Sequence, residues 1–259
     1  MGQLTDAETV SGSAAVEYYE FGINSARYSS NHDGASVRVY FSTHLLWMAK
    51  RSAARCTDRE EELVNEGDNS PDADHRAEVI ASLFATVAFL EARVNELFSD
   101  SVDKPSGTPL TKGLPDGCTD QMSAAWTHAV RYRHDALAKY NLALECAGQA
   151  TYDRGAKRAQ DLQRIIDLRN MIVHAEAKTQ NTVNLHKDQQ ALMQALGKRV
   201  ALNCQSTDGL PFFPNKVLSA GCARWACDTA MDFVRDWEQK MGLPEEFGAG
   251  AILLRLPSL

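Results

Sequence analysis

The chain has no apolar run approaching the ~20 residues that a membrane-spanning helix requires. Its first residues, Met1-Gly-Gln-Leu-Thr-Asp6, lack the basic and apolar regions of a secretory leader. A soluble, cytoplasmic protein is therefore the expectation. No GxGxxG or GxxxxGK[ST] phosphate loop is present, no GxSxG elbow and no HExxH helix, which removes the common routes to dinucleotide, nucleotide-hydrolysis, serine-hydrolase and zinc-protease chemistry. Cysteine is scarce and scattered. Cys56, Cys118, Cys146, Cys204, Cys222 and Cys227 form no CxxC pair and are expected to be small core residues or free thiols. His128 and His134 are six apart and do not share a helical face. With no Cys or carboxylate partners at ligand spacing, no metal and no cofactor is expected. Positive charge is also short. The 27 Lys/Arg stand against 34 Asp/Glu, a net charge of -7, which argues against a protein that coats nucleic acid through a broad basic surface. Local contact with a polyanion remains open, because residues 126–169 carry eight Lys/Arg against five Asp/Glu.

What the sequence does contain is helical periodicity. A hydrophobic fraction of 44% and a charged fraction of 24% are those of an ordinary globular protein, and 259 residues suffice to bury a substantial core. Residues 1–34 are weakly patterned and read as an extension with at most one short element. No strand is expected beyond that. From 35 to 259 the pattern predicts a single all-α domain, a bundle with long helices near 74–98, 120–147, 156–176 and 215–241. A helix over 35–63 precedes them and a shorter one spans 185–203. Asp72 or Asp74 is suited to cap the helix at 74, and Asn215 the helix at 215. Residues 99–119, with Pro105, Gly107, Pro109, Gly113, Pro115 and Gly117, form one loop insertion, and 177–214 contain a second.

Two charges stand in the wrong place for such a bundle. In the stretch Asp161 to His174, Leu162, Ile165, Ile166, Leu168, Ile172 and Val173 fall within one helical arc about 160° wide. Arg169 projects from the middle of that arc, and Asn170 and His174 share the flank beside it. A guanidinium cannot shed its charge, so one aimed at a core must be paired or must border a cleft. Glu91 lies near the centre of the arc of the helix at 74–98, with Asn95 one turn on. A buried carboxylate and a buried guanidinium offset each other only if they meet. Glu91 is therefore predicted to face Arg169 across a helix–helix interface.

Two readings of Arg169, Asn170 and His174 stand at this point. In one, Arg169 pairs with Glu91 for structural reasons and His174 sits at a helix end, where the macrodipole favours a cation. In the other, the three line a polyanion-binding cleft. A histidine titrating near neutrality can move a proton in metal-free phosphodiester cleavage. An adjacent arginine can neutralise the phosphorane, and an amide can position an oxygen. Cleavage of RNA needs little more, since the ribose 2′-hydroxyl is a built-in nucleophile and the products are a 2′,3′-cyclic phosphate and a 5′-hydroxyl.

Arg169-Asn-Met-Ile-Val-His174 resembles the Arg, polar residue, then His signature of the HEPN superfamily, which allows four to six residues between Arg and His; here there are four. Ser82-Leu-Phe-Ala-Thr-Val-Ala-Phe-Leu-Glu-Ala-Arg-Val-Asn-Glu-Leu97 is similar to the preceding helix of many members, and 214–237, with Ala223-Arg-Trp225, to the helix that closes their bundle. The likeness covers about 74–241. It implies a helical bundle that dimerises and joins two Arg/His motifs in one cleft. It also implies a metal-independent endoribonuclease of a toxin–antitoxin or phage-defence system, with RNA as substrate and an antitoxin or other regulatory protein as partner. Arg169 and His174 would be catalytic, Asn170 RNA-binding, and Glu91 and Asn95 supporting groups. Some members are inactive and serve as interaction modules that bind a partner protein or nucleotide, which is the alternative for this chain. Glu176 stands where one toxin branch has a tyrosine, so that branch's control by nucleotidylation is not expected.

Overall fold

The computed structural model describes residues 26–31, 34–68, 70–104, 109–176, 187–206 and 209–244. A short antiparallel hairpin, β1 (Ala26–Asn31) and β2 (Gly34–Val39), leads into eight α-helices among these residues. They are α1 (Ser42–Glu66), α2 (Ala73–Asp103), α3 (Cys118–Ala125), α4 (His128–Arg133), α5 (Ala136–Cys146), α6 (Lys157–Val173), α7 (Lys187–Leu196) and α8 (Ala220–Met241). The fold is all-α apart from the hairpin. No helix of the described residues is long and apolar enough to cross a membrane.

The frame is a long helical hairpin, α1 and α2, against which α8 and α6 pack. Gly67 ends α1 in the left-handed region at φ 68°, and its own N–H and that of Asp68 return to the last turn, the conformation that favours glycine after a helix. Asp72 then starts α2 by accepting the His75 N–H at 2.6 Å. The start of α1 has no cap of its own. Glu96, a full hairpin away on α2, accepts the Ser42 N–H at 2.8 Å and the Ser42 hydroxyl at 2.6 Å, and its burial raises the carboxyl above the usual carboxylate range. Small buried residues, Ala49 and Ala53 on α1, Ala85 on α2, and Ala223 and Cys227 on α8, form the contact between these three helices. They bring the backbones close enough for the Ser82 hydroxyl to donate to the Ala49 carbonyl at 2.9 Å.

Two larger apolar clusters lie on either side of this seam. One gathers Phe89, Leu90 and Val94 of α2 with Tyr140, Leu144, Leu162, Phe233 and Trp237. The other gathers Val79, Leu83 and Val87 with Ile165, Leu168, Leu196, Cys222 and Ala226. Each fully buried large side chain contributes about 1.5–3 kcal/mol relative to exposure. Tyr140 has no exposed surface; its hydroxyl donates to the Leu90 carbonyl at 2.8 Å, and Phe233 and Trp237 meet its ring edge-on. Beside it runs a buried ion pair. Arg93 Nε and Nη2 donate to Glu238 Oε1 at 2.9 and 2.6 Å, and both side chains are at most 2% exposed.

Several boundaries differ from the sequence expectation. Residues 35–39 are strand rather than helix, as the alternation Ser36-Val-Arg-Val39 suits. Arg38 and Tyr40 then tie the hairpin to α2 through Asp100, at 2.6 and 2.9 Å. α2 runs five residues beyond 98, into the expected loop. The helix expected over 120–147 is three helices, because Thr127 and Asp135 each restart the chain as an N-cap, accepting from Val130 and Ala138. α8 is capped by Ser219, which accepts the Cys222 N–H at 3.0 Å, rather than by Asn215. The helix expected over 185–203 is confined to α7. Most of the N-terminal extension, residues 177–186 and the apolar tail lie outside the described residues.

Two measurements check this frame. Arg93→Met strands the buried Glu238 carboxylate and is expected to cost about 3–5 kcal/mol in urea unfolding, with Arg93→Met/Glu238→Leu recovering most of the loss. Asp72→Ala is expected to cost about 1 kcal/mol at neutral pH. The Arg59 guanidinium and the His75 N–H hold the Asp72 carboxyl below its ordinary value in the folded chain. Its contribution is therefore present above the unfolded carboxyl pKa of about 3.9 and fades as pH falls below it. The gap between wild type and Asp72→Ala should close over that range.

Candidate functional site

α6 carries the Arg/Asn/His motif and has the polarity its pattern demands. Leu162, Ile165 and Leu168 are fully buried, while Val173, at the end of the same arc, is 47% exposed. The arc thus leaves the core in its last turn, and Arg169 and Asn170 lie half-buried there. His174 is exposed and closes the helix, its N–H donating to the Asn170 carbonyl at 2.9 Å. The other charges of α6 are engaged: Asp161 takes Lys157 and Arg199, and Asp167 takes Arg164 and the Gln163 amide. Arg169 has no ion-pair or hydrogen-bond partner among the described residues. A helix C-terminus carries partial negative charge, so it does not attract an anion by itself. Any phosphate held here depends on the Arg169 guanidinium.

The predicted contact between Glu91 and Arg169 does not form. Glu91 Oε2 accepts Lys139 Nζ at 2.7 Å, and Asn95 Oδ1 accepts the same ammonium at 3.1 Å. The reason is axial offset. α6 runs antiparallel to α2: Ala159 and Leu162 pack with Phe89, Leu90 and Val94, whereas Ile165 and Leu168 pack with Val79, Leu83 and Val87. Arg169 is seven residues beyond Leu162, about 10 Å further along the helix, and away from Glu91. Lys139 is only 3% exposed; its stem passes through the core and delivers the charge to the carboxylate.

Glu91 and Asn95 instead belong to a second feature, an open cleft of about 700 Å³ between α2 and the α3–α5 segment. Lys139 lies at its base, and Trp126, Arg131 and His134 form a wall. Trp126 stacks on Phe98 with centroids 4.6 Å apart, and the Arg131 guanidinium lies over the indole at 5.3 Å. Arg169, Asn170 and His174 thus fall along the last turn and a half at the end of α6, and Glu91 and Asn95 are held by Lys139 instead of Arg169. The structure also brings together residues that no spacing in the chain links. Cys56, Glu60 and His75 have ligand atoms within 4.8 Å of one another, contrary to the expectation that no metal-ligating set exists. Cys56 and Glu60 are four apart on α1, and His75 meets them only because the helical hairpin closes.

Stability separates the observed pairing from the predicted one. Lys139→Met should lower it by about 1–2 kcal/mol, since Glu91 and Asn95 lose their shared donor. Arg169→Ala should stay within about 0.5 kcal/mol of wild type. Chemical denaturation of both variants measures the difference, and the opposite order would restore the Glu91–Arg169 pair. Compared with known proteins, the chain matches no family model, no curated protein and no solved structure.

Proposed function

We propose that this chain is a metal-independent endoribonuclease of the HEPN type, working as a homodimer that joins two α6 ends in one cleft. The observation that carries the reading is Arg169: a half-buried arginine with no carboxylate partner among the described residues, five residues before an exposed histidine. A charge kept partly out of water and left unpaired is matched to an external anion. In the proposed reaction His174 accepts the proton of the ribose 2′-hydroxyl as that oxygen attacks the adjacent phosphorus. Arg169 neutralises the charge on the non-bridging oxygens, and Asn170 orients one of them. The 5′-oxygen leaves with a proton from the second histidine of the dimer, giving a 2′,3′-cyclic phosphate and a 5′-hydroxyl. The setting that the motif's likeness suggests for such an activity is a toxin–antitoxin or phage-defence system, under a regulatory protein.

A second reading, a non-catalytic module that binds a partner protein or nucleotide, draws on Glu91 and Asn95. These groups were expected to support the motif and are engaged with Lys139 instead. Total RNA and tRNA incubated with the purified protein in EDTA distinguish the two. The nuclease cleaves, leaves cyclic phosphate ends, and loses at least about 100-fold in rate in His174→Ala and Arg169→Ala while remaining folded. Equal cleavage by wild type and His174→Ala would sink it. No cleavage by wild type, with a stable complex between this chain and a second protein, is the outcome for the module.

A further inference from the structure

Near the turn that joins α1 to α2 three side chains of metal-binding type converge. Cys56 is fully buried and His75 is 1% exposed, and Glu60 reaches in from the same face of α1 as Cys56. His75 Nε2 is buried and has no hydrogen-bond partner. Glu60 Oε1 is 3.7 Å away, too far for a hydrogen bond. An imidazole nitrogen taken out of water without a partner costs about 1–3 kcal/mol, so the site is incomplete as a hydrogen-bonded core. It is well formed for something that sits between the two atoms. A tetrahedral zinc ion at its usual bond lengths to N, O and S sets its ligand atoms roughly 3.3–3.7 Å apart; His75 Nε2 and Glu60 Oε1 are 3.7 Å apart, and all three ligand atoms lie within 4.8 Å of one another.

The surroundings hold these groups in place. Glu60 Oε2 accepts the Ala220 N–H at 2.9 Å, which fixes the carboxylate and leaves Oε1 turned to the cluster. Asp72 caps α2 on the His75 N–H and so sets where the ring stands. A fourth ligand-type atom lies at the rim, outside the set whose atoms are all within 4.8 Å of one another: the Cys204 thiol donates to Glu60 Oε1 at 3.8 Å. Its strap is pinned to the start of α8, where the Ser219 hydroxyl donates to the Ala201 carbonyl at 2.6 Å and the Asn203 amide donates to the Leu218 carbonyl at 3.3 Å. Gly221 permits this approach, because a Cβ there would lie 2.6 Å from the Ala201 carbonyl oxygen.

We propose that Cys56, Glu60 and His75 form a structural zinc(II) site, with Cys204 closing the fourth position. Sulfur and imidazole ligands select zinc over magnesium or calcium. The thiolates of Cys56 and Cys204 and the carboxylate of Glu60 set three negative charges against the ion's two positive ones, and binding releases the two thiol protons to solvent. The ion would tie α1, the first turn of α2 and the 201–206 strap together beneath the N-terminus of α8. It takes no part in chemistry at the end of α6, and its test does not depend on any cleavage assay.

The full chain, free of any histidine tag, should bind one equivalent of zinc. Cobalt(II) in its place should give a thiolate-to-metal charge-transfer band and visible d–d bands of tetrahedral intensity. His75→Gln and Cys56→Ser, confirmed as helical by circular dichroism, should each weaken zinc binding by at least about tenfold. Zinc should raise the melting temperature of wild type and not of His75→Gln. Cys204→Ser, an exposed change with little effect on folding, should reduce the charge-transfer intensity. Absence of zinc binding by wild type, a cobalt spectrum without a thiolate band, or unchanged affinity in folded His75→Gln would overturn the site. An unchanged cobalt spectrum in Cys204→Ser would overturn its fourth ligand.

Discussion

The pairing of Arg93 with Glu238 fixes how the longest helix meets the last one. Neither group reaches water, so neither can remain charged unless the other stands within hydrogen-bonding distance. An apolar seam tolerates sliding by a fraction of a turn; two buried charges do not. The pair therefore sets the register of α8 on α2, and the aromatic packing of Tyr140, Phe233 and Trp237 follows from that register. α5 in turn is held by Tyr140, whose hydroxyl reaches the α2 backbone and whose carbonyl accepts the Trp237 indole N–H at 3.3 Å.

The same physics explains which parts of the structure were legible in the sequence. Helical periodicity located α2, α6 and α8 to within a few residues, because each buries a continuous apolar arc. It failed over 120–147, where the arc continues past Trp126 and His134 although Thr127 and Asp135 offer the backbone a fresh start. It also recognised that Glu91 needed a cation, and chose the wrong one. Periodicity gives the angle at which a side chain leaves its own helix and says nothing of how far two helices are shifted along each other. Arg93 is illegible for a related reason: its partner lies 145 positions away on α8, a separation that no helical period spans. The candidate site was legible as far as it is local. Arg169, Asn170 and His174 lie within six consecutive residues at the end of α6, whereas Cys56, Glu60 and His75 belong together only after the hairpin closes.

The polar groups of the two halves of α2 do different work. In its second half, charges are matched in detail: Arg93 with Glu238, Lys139 with Glu91 and Asn95, Arg38 with Asp100. Toward the first half Arg59 pairs with Asp72 and Arg55 with Glu78, but the buried His75 Nε2 has no partner, as the Trp126 indole nitrogen has none beside the second half, and Arg169 has none among the described residues. Folded proteins leave few buried polar groups unsatisfied, and those they leave mark places where something else is bound. Both proposed ligands, an ion and a phosphate, belong to the first half.

The capping of α1 by Glu96 has a consequence for how the chain folds. The first turn of α1 receives its hydrogen-bond acceptor from a residue 54 positions later, so that turn cannot be completed by local sequence alone. A helix with a costly nucleus and a remote cap forms first where its own residues suffice, here the stretch ending at Gly67. It then extends backward as α2 folds alongside. The last part of α1 to become ordered is thus its beginning, and with it the connection to the β1–β2 hairpin. The order of assembly runs against the order of synthesis.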